Sequence, residues 1–537
     1  MSFTDCPWDR RSIAAILRDR ADSYGDRVFF HYADRSYTYD RLRGESDRLA
    51  AGFRGMGVGK GDRVCIMMNV SDDYLFLWFA LSRLGAVEVP INTAYKGDLL
   101  EYILNFSGAK ILVIEEEYLE RLRPLEGNLE GIEKIVVRST APGTPWANAT
   151  PFASVSFRNL FLDGVDLPDV PVHASDICSI VFTSGTTGRS KGVLIPVNFN
   201  YRFATRHVEI MRYAEEDVLY NFLPFFHVAG KFQALAAMLV GGRMLVREKL
   251  SVGQFWDDVR QYGVTGFISV GGILHMLNSQ PPRPDDADNP LRKVYAVPIP
   301  KEFRSDFERR FGVRMQEAYG ATEDGLVLST LWDEEAPPGS CGKPSWLYQV
   351  DIFDGNDLPC PPNVPGEIVV RPNEPFAMME GYDKMPDATL AAFRSLWFHT
   401  GDRGVKDGNG WFFFLDRTKD AIRRRGENIS SYEVERVINA HPKVAESAVV
   451  PVPSELGEDE VKAVVILKPG ETPAPMELVR FCEERMAYFA VPRFIEYVAE
   501  LPRTPTQKVE KYKLRNEGIT PSTWDRKTDG EHSGKPG

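Results

Sequence analysis

Cysteine is scarce in this chain. Six are spread over 537 residues, at Cys6, Cys65, Cys178, Cys341, Cys360 and Cys482. No two of them share the spacing of a zinc or Cys-x-x-Cys redox site. Cys65 and Cys178 sit in apolar runs, where a buried reduced thiol is expected. Apolar stretches long enough to span a bilayer are missing, so no integral membrane association is expected. The first nine residues, Met-Ser-Phe-Thr-Asp-Cys-Pro-Trp-Asp, lack the basic-then-apolar pattern of a secretory signal. Excess positive charge is also missing: Lys and Arg number 64 against 76 Asp and Glu, for a net charge of −12. The most basic run, Arg423-Arg424-Arg425, is too short for a polybasic arm, so nucleic acid is not an expected partner. With 43% hydrophobic and 26% charged residues, the composition is that of a globular protein, expected to be cytoplasmic. Its length is too great for one core and calls for at least two domains.

The first part of the chain alternates short apolar runs with amphipathic stretches. Strands are expected near 28–32, 36–39, 62–68, 86–91 and 110–114, and helices near 42–56, 74–84 and 99–106. Such alternation predicts an α/β fold with a parallel sheet covered on both faces. Residues 139–176, rich in Pro, Ala, Thr and Ser, read as a surface connection. Further on, helices are expected at 203–213, 252–262 and 300–311 and strands at 242–246, 266–270 and 293–297. Beyond about residue 420 a second, smaller α+β unit begins. The polar stretch from residue 516 reads as disordered.

The stretch around which the chain is organised runs from Ile180 to Leu194. Thr183, Ser184, Thr186 and Thr187 supply four hydroxyls, Gly185, Gly188 and Gly192 open the backbone, and Arg189 and Lys191 bring positive charge. Converging N–H groups, hydroxyls and cations can wrap a polyanion. A Walker loop does not fit, since two residues rather than four separate Gly185 from Gly188. Nor does a nucleophile elbow, because Phe182 lies two residues before Ser184. Four more blocks carry chemistry. Pro224-Phe225-Phe226-His227-Val228-Ala229-Gly230 places a histidine after an apolar run. Glu317-Ala318-Tyr319-Gly320-Ala321-Thr322-Glu323 combines a ring, a close-approach glycine, a hydroxyl and a carboxylate suited to Mg²⁺. Asp402 closes Trp397-Phe398-His399-Thr400-Gly401-Asp402, where the bland reading is an Asp in a turn. Lys508 lies in Leu501-Pro502-Arg503-Thr504-Pro505-Thr506-Gln507-Lys508.

Together, from about residue 10 to 515, these blocks resemble the adenylate-forming enzymes: acyl-CoA synthetases, peptide-synthetase adenylation domains and firefly luciferase. The finer pattern is similar to bacterial crotonobetaine/carnitine-CoA ligase-like acyl-CoA ligases. The resemblance implies a large N-terminal domain of stacked mixed β-sheets with covering helices and a β-subdomain (1–416). It further implies a hinge at 417–420 around Lys419, a small mobile C-terminal α+β domain (421–515), and the disordered tail (516–537). It implies ATP, Mg²⁺ and coenzyme A as cofactors and a small carboxylic acid as substrate; a homodimer is left open. Lys508, Thr183, Glu323 and His227 would be catalytic, with Glu323 and Thr183 at the metal. Thr183 to Lys191 would hold the β- and γ-phosphates and Thr322 the α-phosphate. Glu317, Ala318, Tyr319 and Gly320 would line the adenine, Asp402 and Arg417 the ribose. Arg425, Gly426 and Glu427 would face the CoA tunnel.

The sequence departs from the family pattern at five places. Ser190 stands where proline is usual, Ala296-Val297-Pro298 replaces a Gly-Gly-Ala or Gly-Ala-Pro turn, and Arg425 and Gln507 each replace a glycine. Gly271-Gly272 stands where the carnitine-type ligases carry proline and a bulky residue. The acyl pocket would be lined by Phe226, His227, Val270, Gly271, Gly272, Val297 and Gly320, with no evident cation or carboxylate. A medium to bulky, mainly uncharged acid is therefore expected, over acetate and carnitine. The expected reaction is ATP-dependent acyl-CoA ligation through an acyl-AMP. Alternatives are loading of a carrier-protein phosphopantetheine, a luciferase-like oxygenase, and a non-catalytic nucleotide-binding relative.

Overall fold

The computed structural model describes residues 6–139, 152–183, 190–270, 273–297, 299, 304–417, 421–455, 457–502 and 509–530. Among them, two large sheets form the first domain. One has eight strands, ordered Gly381–Tyr382, Lys191–Pro196, Ile177–Thr183, Val87–Pro90, Arg63–Met67, Ile111–Glu115, Lys134–Arg138 and Ala153–Ser156. Its central strands pair in parallel and are buried almost without alternation, as strands covered on both faces must be. The other has nine strands. Five of them, Arg243–Val246, Val218–Asn221, Gly266–Val270, Lys293–Val297 and Arg314–Ala321, run parallel to one another. The strand ends Val270 and Val297 lie side by side in this register.

Helices fill the space around the sheets. The helix Asp72–Arg83 starts where Ser71 Oγ accepts from the Tyr74 N–H at 3.2 Å, with Asp72 and Asp73 in the first turn, a favourable placement for acids. The helix Val228–Val240 is apolar around most of its circumference and buried nearly throughout, as such a helix has to be. It carries one charge inward: Lys231 Nζ donates to Glu88 Oε1 at 2.5 Å, with the two side chains 5% and 4% exposed. Burial pushes the Lys231 ammonium pKa down while Glu88 opposes that shift. Tyr74 and Trp78 present their rings to the ammonium at 5.9 and 5.8 Å.

A four-stranded antiparallel sheet, Tyr348–Phe353, Gly366–Pro372, Phe398–Lys406 and Phe412–Arg417, forms the expected β-subdomain. The second domain opens with a hairpin, Ala421–Arg424 and Glu427–Ser430. Arg425 and Gly426 make its turn at φ of 55° and 79°, the doubly left-handed geometry of a two-residue hairpin loop. Arg425 thus adopts a conformation that suits the glycine it replaces. The helix Ser431–Asn439 is capped by Ser430. A sheet of Val444–Pro453, Asp459–Leu467, Phe494–Tyr497 and Trp524–Asp525 completes the unit.

Three sequence expectations need correction. The tail is not disordered over 516–530. Trp524–Asp525 pairs antiparallel with Phe494–Tyr497, and Arg493 grips Asp525 at 2.8 and 3.0 Å. The hydroxyls of Thr520, Ser522 and Thr523 all donate to Glu496. Lys462 and these hydroxyls outweigh burial and hold the Glu496 carboxyl down to about 2. A polar sequence hid this segment because side-chain hydrogen bonds, not apolar burial, fasten it. Residues 531–537 lie outside the described residues. Second, the connection 139–176 includes the strand Ala153–Ser156 and a turn that buries Phe157 and Leu160. Third, the helix expected from 203 begins at Val197, because its first turn continues directly from the strand Lys191–Pro196.

Lys231→Met should destabilise the protein by about 3–5 kcal/mol, since Glu88 is left buried and unpaired. Lys231→Met combined with Glu88→Leu should recover most of that loss. Denaturant titration of both variants checks this, and a double variant as unstable as the single one would contradict it.

Candidate active site

The polyanion loop is held by a hairpin. Thr183 ends the strand Ile177–Thr183 and is paired across it with Lys191. Ser184 to Gly188 and Arg189, between them, lie outside the described residues, as do Gly271, Gly272, Lys419 and Lys508. Thr183 Oγ1 donates to Glu323 Oε1 at 3.4 Å, and the Tyr382 hydroxyl donates to the same oxygen at 3.3 Å. Lys191 Nζ sits 4.3 Å above the Tyr382 ring. The hairpin mouth therefore brings a hydroxyl, a carboxylate and an ammonium together. Tyr382, which no sequence signal marked, links the last two.

Glu317, Ala318, Tyr319 and Gly320 occupy the end of the strand Arg314–Ala321, and Thr322 and Glu323 lie in the turn after it. A side chain at Gly320 would put its Cβ 1.6 Å from the Gly325 carbonyl oxygen, so the β-bulge at Tyr319/Gly320 demands glycine. The Tyr319 hydroxyl donates to Asp402 Oδ2 at 2.8 Å. Asp402 in turn is paired in register with Arg417. The two expected ribose positions are therefore adjacent, on neighbouring strands of the β-subdomain.

Beside Glu323 lies a second, fully buried carboxyl. Asp324 Oδ1 accepts from the Ala321 N–H at 2.6 Å. Burial first, then the charges of Glu323 and Asp402, push its pKa up to about 8. Asp324 is thus neutral near pH 7 and does not add a second negative charge next to Glu323. One carboxylate with a neighbouring hydroxyl fits Mg²⁺, which takes one or two protein oxygens and completes its shell with water and phosphate. Among the described residues there is no cluster of three or more His, Cys, Asp or Glu able to cage a metal by itself.

The two domains meet at His227. It caps the helix Val228–Val240, with Phe226 beside it at a ring-centroid distance of 4.8 Å. His227 Nε2 lies 3.0 and 3.1 Å from the two carboxylate oxygens of Glu427, which also accepts from Asn92 Nδ2 at 3.3 Å. A Cβ on Gly426 would lie 3.5 Å from Val270 Cγ2. Phe226, His227, Val270, Val297, Gly426 and Glu427 therefore converge at one end of the nine-stranded sheet. Elsewhere in the interface the Ser190 N–H and hydroxyl both donate to Glu433 Oε1, at 3.0 and 2.7 Å. A proline at that position could make neither bond. Arg436 pairs with Asp98 at 3.0 Å. Gly97, at φ 59°, has no room for a Cβ, which would lie 2.9 Å from the Arg485 carbonyl oxygen. Asn92 and Tyr382 were not singled out in the sequence, because each gains its meaning from a distant partner, 335 and 59 residues away respectively.

The hairpin of Thr183 and Lys191, the Glu323 carboxylate beside it, the adjacent strand positions Asp402 and Arg417 and the small domain docked on His227 are arranged as expected of an adenylate-forming ligase. Comparison with known proteins agrees. Residues 17–383 match the AMP-binding enzyme family and residues 433–508 the AMP-binding enzyme C-terminal domain. The chain is 32% identical to crotonobetaine/carnitine–CoA ligases of Salmonella heidelberg and Salmonella typhimurium, over 94% of its own length and 99% of theirs. Its fold is similar to a variant of o-succinylbenzoate CoA synthetase from Bacillus subtilis (TM-score 0.80, 24% identity, covering 95% and 99% of the two chains). It is equally similar to the amide bond synthetase McbA from Marinactinospora thermotolerans (TM-score 0.80, 25% identity, covering 93% and 99%). The chain belongs to the AMP-binding enzyme family, and within it to the AMP-forming acyl-CoA ligases. No helix among the described residues is long and apolar enough to cross a membrane.

The buried Asp324 gives a pH signature. Its carboxyl keeps its proton up to about pH 8 in the folded protein, against an ordinary value of 3.8. The folded state then binds more protons than the unfolded one across that window, so stability falls as pH rises from about 4 to about 8. Asp324→Asn, neutral throughout, should flatten that fall by up to about 1.4 kcal/mol per pH unit. Above pH 8 the two curves should run parallel. Unfolding free energies at a series of pH values check this, and identical slopes for both proteins would exclude it.

Proposed function

We propose that the protein activates a medium to bulky, mainly uncharged carboxylic acid as its acyl-adenylate and then passes the acyl group to coenzyme A. In the first half-reaction a carboxylate oxygen attacks the α-phosphorus of ATP. The α–β phosphoanhydride bond breaks and pyrophosphate leaves. Two anions must approach, so positioned positive charge and hydrogen-bond donors matter more than proton transfer. Thr183, Lys191 and the loop Ser184–Gly188 would orient the β- and γ-phosphates. Thr322 would bond the α-phosphate and Lys508 would bridge carboxylate and phosphate oxygens. Glu323 and Thr183 would hold Mg²⁺, which when bound offsets phosphate charge. Tyr319 and its neighbours Glu317, Ala318 and Gly320 would receive the adenine, Asp402 and Arg417 the ribose.

In the second half-reaction the thiolate of coenzyme A attacks the acyl carbonyl carbon, the acyl–phosphate bond breaks, and AMP leaves. The observation that carries this reading is the contact of Glu427 and Gly426 with His227 and Val270. It supports an arrangement in which the small domain, rotated about Lys419, presents Arg425, Gly426 and Glu427 to the thiol's path. His227 stands between the acyl pocket and that path. The relatives named for crotonobetaine and carnitine act on acids with a quaternary ammonium. The acyl-pocket residues Phe226, Val270 and Val297 bring no carboxylate to pair with such a cation, and the one beside them, Glu427, is already held by His227 and Asn92, which favours an uncharged acid here.

Incubation with a carboxylic-acid library, ATP, Mg²⁺ and coenzyme A should yield AMP, pyrophosphate and acyl-CoA, read by mass spectrometry. Pyrophosphate release without acyl-CoA would point instead to a carrier-protein acceptor, and nucleotide binding without either product to a non-catalytic protein. Lys508→Ala should slow adenylate formation by about 10²–10³-fold, as loss of one transition-state donor does. The same variant should largely spare thioester formation from supplied acyl-adenylate. Equal damage to both halves would remove Lys508 from the role given it.

A further inference from the structure

Three of the buried polar side chains of the first domain that have no hydrogen-bond partner among the described residues lie together. They are His207, at both ring nitrogens, and Tyr213 and Tyr295, at their hydroxyls. His207 touches both tyrosines through its ring. His207 packs edge-on against Tyr213 at 5.1 Å and against Tyr295 at 4.8 Å. Each is 4% exposed or less. A folded protein seldom leaves such a group unpartnered, and each one that stays so asks for a guest that pairs with it.

The surroundings indicate what guest. Burial alone pushes the His207 pKa down to about 3, so the ring is neutral and offers one donor and one acceptor. The charged groups nearby are already paired: Lys293 with Asp217 at 2.8 Å, and Arg206 with Glu209 and with Ser329 Oγ. The site therefore offers hydrogen bonds without net charge. Its apolar wall is Phe232, stacked on Phe203 at 4.5 Å and edge-on to His207 at 5.0 Å.

The cluster also lies on the two elements that lead to the acyl end of the active site. Phe232 is five residues along the helix that His227 caps, a rise of about 7 Å. Tyr295 is two residues before Val297 on one strand, on the same face and about 7 Å away. We propose that His207, Tyr213 and Tyr295 form the polar floor of the acyl pocket and hydrogen-bond an uncharged hydroxyl, carbonyl or amide at the end of the acyl group remote from its carboxylate. This rests on the acyl-CoA ligase reading, with the pocket opening at His227 and Val297.

Two matched acids probe it: 3-(4-hydroxyphenyl)propanoate and 3-phenylpropanoate, each supplied to the full chain with ATP, Mg²⁺ and coenzyme A. The unaltered protein should favour the hydroxylated acid by about tenfold or more in kcat/KM, because a site built for a hydroxyl rejects the analogue without it. In His207→Leu, and independently in Tyr295→Phe, the ratio should fall to within about threefold of unity, chiefly through KM. If the cluster holds only water, His207→Leu will raise the melting temperature and leave the ratio unchanged, which overturns the proposal. It is equally overturned if neither acid is a substrate while other acids in the library are. Absence of acyl-CoA from every acid would instead bring down the ligase reading, and this inference with it.

Discussion

Glu427 is the point at which the two domains become one active site. Its carboxylate is held by His227 on one side and by Asn92 on the other. Those two residues sit on elements of different sheets: His227 at the cap of the helix Val228–Val240, Asn92 just beyond the strand Val87–Pro90. The spacing between these elements is fixed one layer deeper by Lys231 and Glu88, which join the same helix to the same strand. A buried ion pair is seldom the most stable filling for a core. It does have a defined length and direction, which a packed leucine pair lacks. The closed circuit of Glu88, Lys231, His227, Glu427 and Asn92 ties the geometry of the domain contact to the interior of the large domain.

Other charges are managed to suit an anionic substrate. Burial keeps Asp324 protonated beside Glu323, so one carboxylate rather than two faces the phosphate hairpin. Lys191 lies over the Tyr382 ring, and that ring's hydroxyl reaches the same Glu323. Further out, Ser190 binds Glu433 with two hydrogen bonds, while burial raises the Glu433 pKa against them. Serine in place of the usual proline thus supplies a direct bond between the end of the phosphate hairpin and the small domain. The departure from the family pattern has a partner in the structure.

Most of the site was legible because its chemistry is local. The hydroxyls and glycines of 183–192 and the run from Glu317 to Glu323 are contiguous, and contiguous residues declare their chemistry without a fold. Asp402 and Arg417 were legible only through resemblance; their pairing across neighbouring strands supplies the physical reason. The ordered segment 516–530 escaped notice, since hydroxyls on Glu496 and an Arg493–Asp525 pair leave no hydrophobic periodicity to read. His207 escaped for the opposite reason. In the sequence it is one of several polar residues of the helix Val197–Met211, and nothing local says whether its nitrogens find partners.

By itself the sequence determined the α/β class, the large and the small domain and the family, because periodicity and contiguous motifs are properties of neighbouring residues. Tertiary structure alone decided which carboxyl stays protonated, which residues grip Glu427, what Ser190 bonds, and that three polar groups meet unpartnered beneath the acyl end. Those outcomes depend on burial and on contacts between residues far apart in the chain. The energy of a charge or a hydrogen bond is set by what surrounds it in space, and a linear order of residues does not contain that information.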